Sequence, residues 1–234
     1  MAYIYEYIRT RGHEPLHFEK HYARLEELAA TYFSEPLKLS SQQLRQTIAE
    51  SLQSAKCSTT TMNVVYVQYH SDGSLKVKAD WSIYSAFSLR ALRPCSYLCR
   101  ISGEIITDNT SAKEALIEFN QDTALTTDKG VAIWANERDE VVAIDGAAVI
   151  AVFEDEVRFL ASGKGVEFDL AYEVVSKSRT NVSKGTINLV ELPKAKELLY
   201  IDHRGLTALQ LLYDSTIYMD ITAEKIASQI AEAE

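Results

Sequence analysis

Three histidines stand four residues apart near the start of the chain, in the segment HEPLHFEKHYARL (residues 13–25). Histidines at positions i and i+4 of a helix can bind zinc when both rings converge with a further ligand. Pro15 lies between His13 and His17 and disfavours a helix through both, because proline lacks a backbone donor and restricts the residue before it. Only His21 falls clearly inside the predicted helix. We therefore predict no metal site here, and we interpret the histidines as turn and helix-start residues held by local hydrogen bonds.

The composition places the chain among ordinary soluble globular proteins. Its 234 residues, 47% apolar and 24% charged, are enough to bury a sizeable core. A net charge of −9 argues against nucleic acid or an anionic membrane as the main partner. The N-terminal residues contain no long apolar run, and no stretch approaches the roughly 18 apolar residues that cross a bilayer. Three cysteines without regular spacing do not suggest a disulfide framework, so we expect a cytoplasmic protein.

The hydrophobic pattern predicts two α+β units, residues 1–95 and 96–234. The first unit begins with a strand, YIYEYIRTRG, that turns at Gly12, followed by two amphipathic helices and a hairpin around the turn SDG. The second begins with the helix SAKEALIEFNQDTALTT and continues as a compact run of short antiparallel strands. The helix VEFDLAYEVVSKS, a short helix at KAKEL that leads into the strand LLYID, and a C-terminal helix complete it.

The opening segment also resembles that of the class IV pyridoxal-phosphate (PLP) enzymes, which include branched-chain and D-amino-acid aminotransferases and 4-amino-4-deoxychorismate lyase. That family has a strand of the type F-E-T-x-R, a glycine turn and an H-x-x-R-L helix. In this chain those places are taken by Tyr5-Glu6-Tyr7-Ile8-Arg9, Gly12 and His21-Tyr22-Ala23-Arg24-Leu25. The resemblance covers most of the chain. It implies a two-domain α+β fold of the D-amino-acid aminotransferase type, a cofactor pocket between residues 1–95 and 96–234, and a homodimer.

Arg24 receives its predicted role from this resemblance. In the family the helix arginine binds the cofactor phosphate, and a planar guanidinium suits a dianionic phosphate better than a flexible amine does. Outside that pattern, Arg24 would be interpreted as a solvated helix arginine paired with Glu27.

Lys113 is the predicted catalytic residue. PLP enzymes need a lysine that forms a Schiff base with the cofactor and then transfers a proton. The family spacing, counted back from VAIW (residues 131–134), falls on Asn109 or Thr110, and Lys113 lies about one helical turn further on. The surrounding SAKEA is equally typical of a surface helix, in which case Lys113 would face water.

Asp145 is the predicted partner of the cofactor's ring nitrogen. An alignment without gaps places Ile144 there, and a shift of one residue brings in Asp145. The dipeptide Asp145–Gly146 is also a common turn sequence.

Two further segments are predicted to bind anions. GVEF replaces the family's G-I-T-R, so the backbone amides of Val166 and Glu167 at a helix start are candidates for the phosphate, although the Glu167 charge opposes it. Arg204, in IDHRG, could bind phosphate or a substrate carboxylate, or could pair with Asp202.

Two functional hypotheses follow. The first is a divergent PLP-dependent class IV enzyme, an aminotransferase or a lyase, acting on a small amino acid or similar molecule that carries a carboxylate. The alternative is a degenerate class IV fold that has lost PLP and acts as a non-catalytic binding or partner protein. The first hypothesis requires a lysine at the site.

Overall fold

The computed structural model describes residues 2–81, 87–101, 107–127, 130–178, 180–213 and 216–233. The chain forms two compact units, the first built from residues 1–86 and 108–114 and the second from residues 87–107 and 115–234. Among the described residues, no helix combines the length and the apolar character needed to cross a membrane.

The first unit is an antiparallel four-stranded sheet, in the order β2-β1-β3-β4, with two helices packed on it. Its elements are β1 (Tyr3–Arg11), β2 (Glu14–Pro15), α1 (Phe18–Phe33), α2 (Ser41–Ser54), β3 (Met62–His70) and β4 (Leu75–Trp81). The predicted strand, both helices and the hairpin are confirmed.

The predicted turn at Gly12 has a clear steric cause. The residue has φ +59°, and an added Cβ atom would lie 2.2 Å from the carbonyl oxygen of Thr59. A glycine is needed there because any side chain would collide with that backbone. The turn sends the chain back through β2 into α1, which carries His21 and Arg24.

A short segment from later in the chain completes the first unit. The Tyr5 amide donates to the carbonyl oxygen of Asn109 (2.9 Å), and Ile4 forms an isolated antiparallel bridge with Thr110. These backbone contacts extend the sheet at β1 and place the start of the next helix, α3 (Ser111–Thr127), in this unit.

The second unit contains two five-stranded sheets, in the orders β10-β9-β8-β11-β12 and β14-β13-β5-β6-β7. Its strands are β5 (Cys95–Arg100), β6 (Val131–Ala135), β7 (Val141–Ile144), β8 (Ala148–Val152), β9 (Val157–Leu160), β10 (Val182–Gly185), β11 (Glu197–Asp202), β12 (Gly205–Ala208), β13 (Leu211–Leu212) and β14 (Thr216–Ile217). Its helices, beyond the rest of α3, are α4 (Val166–Ser178), a 3-10 helix (Leu189–Lys194) and α5 (Ile221–Ala233).

Two details of the second unit differ from the sequence prediction. The antiparallel run is divided, since β7 belongs to one sheet and β8 to the other although a tight turn joins them. The short helix expected at KAKEL lies earlier, because a reciprocal capping box between Asn188 and Glu191 starts it at Leu189. The backbone is already extended at Ala195, so β11 begins at Glu197.

Glu197 stabilises the start of α5, and we expect Glu197→Ala to lower the free energy of unfolding by about 2 kcal/mol. Its buried carboxylate accepts hydrogen bonds from the backbone amides of Thr222 (2.6 Å) and Ala223 (2.9 Å). Urea denaturation of Glu197→Ala measures the effect. The control is Glu232→Ala, which removes an exposed glutamate of α5. Equal stability of the two variants would show that this capping contributes nothing.

Candidate functional site

A buried carboxylate lies at the centre of the candidate site in the first unit. Glu6 lies on β1, is 3% exposed, and lies on the same face of the strand as Ile4 and Ile8, which pack in the core with α1. Its carboxylate accepts from His21 Nδ1 (2.9 Å) and from Arg24 Nε (2.8 Å), two side chains on one face of α1. Burial favours the neutral acid, but the His21 hydrogen bond and the Arg24 charge outweigh it and lower the pKa of Glu6 below its usual value.

The Arg24 guanidinium donates to Glu6 through Nε, and its Nη2 is available as a further donor. Its Nη2 lies 3.8 Å from Asp108 Oδ1, beyond hydrogen-bond distance, and within the described part of the chain this buried atom has no hydrogen-bond partner. The side chain is 11% exposed and pairs with Glu6. Arg24 is therefore not a solvated helix arginine, and its Nη2 is suited to an incoming anion.

Lys113 lies in the first turn of α3 and is 7% exposed, so it does not face water. Its Nζ donates to Asn109 Oδ1 (3.1 Å), and the Asn109 Nδ2 in turn donates to Glu6 Oε1 (2.9 Å). The structure therefore connects Arg24 and Lys113, the two predicted residues of the first unit, through the hydrogen-bonded pair Glu6 and Asn109.

Glu114, next to Lys113, is held by tyrosines of the sheet. Tyr66 Oη donates to its two carboxylate oxygens (2.8 and 2.9 Å), and Tyr3 Oη also donates to it. Gln68 Nε2 donates to Tyr66 Oη (2.7 Å). Burial and then the Glu114 carboxylate raise the pKa of the Tyr66 phenol, which therefore remains a protonated donor. These bonds help to fix the first turn of α3, where Lys113 lies.

The remaining histidines of the opening segment have separate environments. The His13 ring lies 3.3 Å from the carbonyl oxygen of Cys57, measured from Nε2. His17 precedes α1 with left-handed backbone angles (φ 48°). The side chains of His13 and His21 contact residues 44 and 15 positions away, so these contacts are not the local hydrogen bonds that the sequence predicted.

In the second unit, Asp145 occupies a two-residue turn between β7 and β8. Asp145 and Gly146 both have positive φ angles, 47° and 74°, and the flanking Ile144 and Ala147 exchange backbone hydrogen bonds. The Asp145 Oδ1 accepts from the Ala132 amide (2.9 Å). Burial raises the pKa of this carboxyl despite that hydrogen bond and the nearby Arg204 charge.

Arg204 forms an ion pair with Asp202 at the hairpin between β11 and β12. Its Nε lies 3.0 Å from Asp202 Oδ2, its Nη2 contacts the same oxygen, and its backbone amide donates to Asp202 Oδ1 (2.7 Å). Burial opposes ionisation of Asp202, but the Arg204 charge lowers the pKa of this acid. This is the loop pairing that was the alternative to anion binding, and an anion would have to compete with it.

Val166 and Glu167 begin α4, as the sequence predicted. Val166 is buried, and Phe168 packs edge-on against Phe159 with ring centroids 5.3 Å apart. The first turn carries two acids, Glu167 and Asp169. The helix start favours anions through its backbone amides, whereas these charges oppose them.

The residues of the first unit fit PLP better than those of the second. A buried primary amine and a largely buried guanidinium, whose Nη2 has no hydrogen-bond partner among the described residues, can serve the carbonyl group and the phosphate of the cofactor. The second unit offers a carboxyl with a raised pKa, a paired arginine and an acidic helix start. The predictions for Asp145, Val166, Glu167 and Arg204 stay predictions.

Sequence reasoning identified Arg24 and Lys113 but not the residues that hold them. Glu6 could have been found, because a glutamate between Ile4 and Ile8 on the core face of a strand requires a cationic partner. The family spacing fell on Asn109 or Thr110, but an asparagine before a helix is common in loops, and nothing in the sequence indicated that Asn109 would bind both Glu6 and Lys113.

Comparisons with known proteins identify the fold. Neither the protein-family models nor the curated proteins gave a match by sequence. Among solved structures, a candidate 4-amino-4-deoxychorismate lyase from Legionella pneumophila aligns with TM-score 0.79 and 12% identity, over 99% of this chain and 91% of that one. A hypothetical aminotransferase from Mycobacterium tuberculosis in its PLP-bound form aligns with TM-score 0.81 and 12% identity, over 99% and 88%.

A branched-chain aminotransferase from Thermoproteus uzoniensis, solved with norvaline, aligns with TM-score 0.80 and 12% identity, over 97% of this chain and 84% of that one. Identities this low establish the fold rather than the activity. The resemblance that the opening segment suggested is confirmed at that level: the chain has the α+β fold of the class IV aminotransferases and of 4-amino-4-deoxychorismate lyase.

Proposed function

We propose that this protein is a PLP-dependent class IV enzyme in which Lys113 binds the cofactor covalently and Arg24 binds its phosphate. The observation that carries the proposal is the position of Lys113. A lysine in the first turn of a helix normally extends into water, but this one is 7% exposed with its amine bound to Asn109. A buried, hydrogen-bonded amine that Asn109 and Glu6 connect to a largely buried arginine is the arrangement that supports this chemistry.

Each residue of the first unit has a defined task in this proposal. Bound PLP would supply an electron-withdrawing ring that stabilises negative charge at the substrate's α-carbon. Lys113 Nζ would bind the cofactor and then accept and return the α-proton. Arg24 Nη2 would donate to the phosphate, while Glu6 holds the guanidinium through Nε. Glu6 also accepts from Asn109, so the same carboxylate orients both halves of the site.

The substrate class is proposed from the structural neighbours. These include aminotransferases, one of them solved with norvaline, and a candidate lyase. We infer a small amino acid, or a similar amine that bears a carboxylate, as the substrate, and amino transfer or elimination as the reaction. We also expect a homodimer.

A second candidate function, a class IV fold without PLP, is favoured by the second unit. Arg204 is already paired with Asp202, and the first turn of α4 is acidic. Such a protein would use Arg24 for another anion or would act through a partner. Its Lys113 would have no reason to react faster than a surface lysine.

The deciding experiment is PLP incubation followed by absorbance spectroscopy, borohydride reduction and peptide mass mapping. We expect a stable absorbance band and one dominant reduced adduct on Lys113. Pyridoxal, which lacks the phosphate, should label Lys113 more weakly because Arg24 gains no ligand from it. Adducts scattered over surface lysines, or no band, would overturn the enzyme proposal and favour the second candidate.

A further inference from the structure

Asn109 connects the two functional halves of the first unit through one side chain. Its Nδ2 donates to Glu6 Oε1 (2.9 Å) and its Oδ1 accepts from Lys113 Nζ (3.1 Å). The amide has only one orientation that satisfies both contacts, because an ionised carboxylate only accepts and an ammonium only donates. Glu6 is itself fixed by His21 and Arg24. The acceptor presented to Lys113 is therefore held in place by three other side chains.

We propose that Asn109 is a positioning residue that orients the Lys113 amine for reaction with the PLP aldehyde, an inference that rests on the proposed function. In that reaction Nζ, after losing a proton, forms a C=N bond with the aldehyde carbon, and the aldehyde oxygen leaves as water. Nothing is oxidised or reduced. A lysine side chain has four rotatable bonds and loses considerable rotamer entropy when it is fixed, so an acceptor that fixes it beforehand accelerates the reaction.

The Asn109 side chain is not required to place its own segment. The backbone does so, since the Tyr5 amide donates to the Asn109 carbonyl oxygen (2.9 Å) and Ile4 bridges to Thr110. The Thr110 carbonyl oxygen also accepts from the Glu114 amide (3.1 Å) at the start of α3. A substitution that removes only the amide group therefore leaves the helix start where it is.

A purely structural role for Asn109 would have a different signature. The amide would then only donate a hydrogen bond to the buried Glu6 carboxylate. Its loss would lower the stability of the protein without changing the rate at which Lys113 reacts with PLP relative to a small reagent. The two roles are separated by comparing PLP with acetic anhydride, a small acylating reagent with little orientational demand. The ratio of the two rates at Lys113 cancels changes in the protonation of the amine, because both reagents need the neutral amine.

The test uses the cofactor-free full chain with Asn109→Leu, which has a similar volume and no polar group, and with Asn109→Ala in case the leucine variant does not fold. Peptide mapping after borohydride gives the PLP rate at Lys113, and trace labelling gives the anhydride rate. We expect the ratio of the PLP rate to the anhydride rate to fall at least about tenfold. The matched control is Asn120→Leu on the same helix, a buried amide that donates to the Leu116 carbonyl oxygen, and it should leave the ratio unchanged.

The outcomes distinguish this inference from the function on which it rests. If the wild-type protein forms the Lys113 adduct and the Asn109 variants keep its ratio, the positioning role is wrong and the proposed function stands. If the wild-type protein forms no preferential adduct at Lys113, both are overturned. An equal fall in the Asn120 variant would show a general loosening of α3 and would also overturn the positioning role.

Discussion

Replacing Glu6 with leucine should lower the free energy of unfolding by about 3–5 kcal/mol. The carboxylate is 3% exposed and accepts hydrogen bonds from His21, Arg24 and Asn109. Leucine fills a similar volume, so the loss comes from the partners rather than from a cavity. The Arg24 guanidinium would keep its charge in a largely buried position, and its remaining carboxylate neighbour among the described residues would be Asp108, at 3.8 Å.

Urea denaturation at neutral pH measures this loss. Glu6→Gln tests the role of charge, because its carbonyl oxygen can still accept from Arg24 and Asn109, and its loss should be smaller. Glu27→Leu, exposed on α1, should change stability by no more than about 0.5 kcal/mol. A Glu6→Leu variant as stable as the Glu27→Leu control would contradict the central position that we assign to Glu6.

The same carboxylate should make stability depend on pH in the acid range. The pKa of Glu6 in the folded protein lies below its ordinary value of 4.5, so the unfolded chain binds the proton first as the pH falls. The contribution of Glu6 is complete above about pH 4.5 and is lost as the pH falls through the lower, folded value. Glu6→Gln cannot titrate, and its unfolding free energy should therefore fall less steeply below pH 4.5. Identical acid slopes would show that Glu6 has no depressed pKa.

The elements of this protein could be predicted because local patterns determine them. The α3 and α4 helices begin and end where their sequences predicted, at Ser111–Thr127 and Val166–Ser178. The arrangement of strands was harder to predict, since β7 and β8 are both continuous apolar, buried runs and yet belong to different sheets. The hydrophobic pattern of a strand does not determine which other strand it pairs with.

Residues of the candidate site could be proposed from the sequence only where the family pattern named a residue type. Arg24 followed from the H-x-x-R-L helix, but its pairing with Glu6 depends on the packing of α1 against β1. Lys113 was ambiguous, because SAKEA suits a surface helix equally well. Its burial results from Asn109 and Thr110 pairing with β1, a contact that joins residues more than a hundred positions apart.

Asp145 and Arg204 are residues whose types suit both a turn and a ligand site. An Asp-Gly pair forms the turn between β7 and β8. The Asp202–Arg204 pair closes the hairpin between β11 and β12. Both arrangements were open alternatives in the sequence. Local hydrogen bonds make these turns stable without a ligand, so their occurrence neither requires nor forbids a function for these residues.

Replacing Lys113 with methionine should abolish the specific covalent adduct with PLP, and it is the substitution with the largest expected effect on function. Methionine has a similar length but no amine, so no covalent bond to the cofactor can form. Arg24 and the rest of the first unit would retain only non-covalent contacts with the phosphate. We expect the absorbance band to disappear and the apparent Kd for PLP to rise by about 100-fold or more, tenfold for each 1.4 kcal/mol lost.

The matched control for this prediction is Lys225→Met, an exposed lysine of α5, which should bind PLP as the wild-type protein does. The titration should be followed by absorbance and by borohydride trapping, so that weak adducts on surface lysines are counted separately from the specific one. If the Lys113→Met variant keeps the PLP absorbance band, another lysine forms the covalent bond and the role proposed for Lys113 is wrong. Because Lys113 is buried and bonded to Asn109 while Lys225 is exposed, a difference between the two variants measures what burial and orientation add to an ordinary amine.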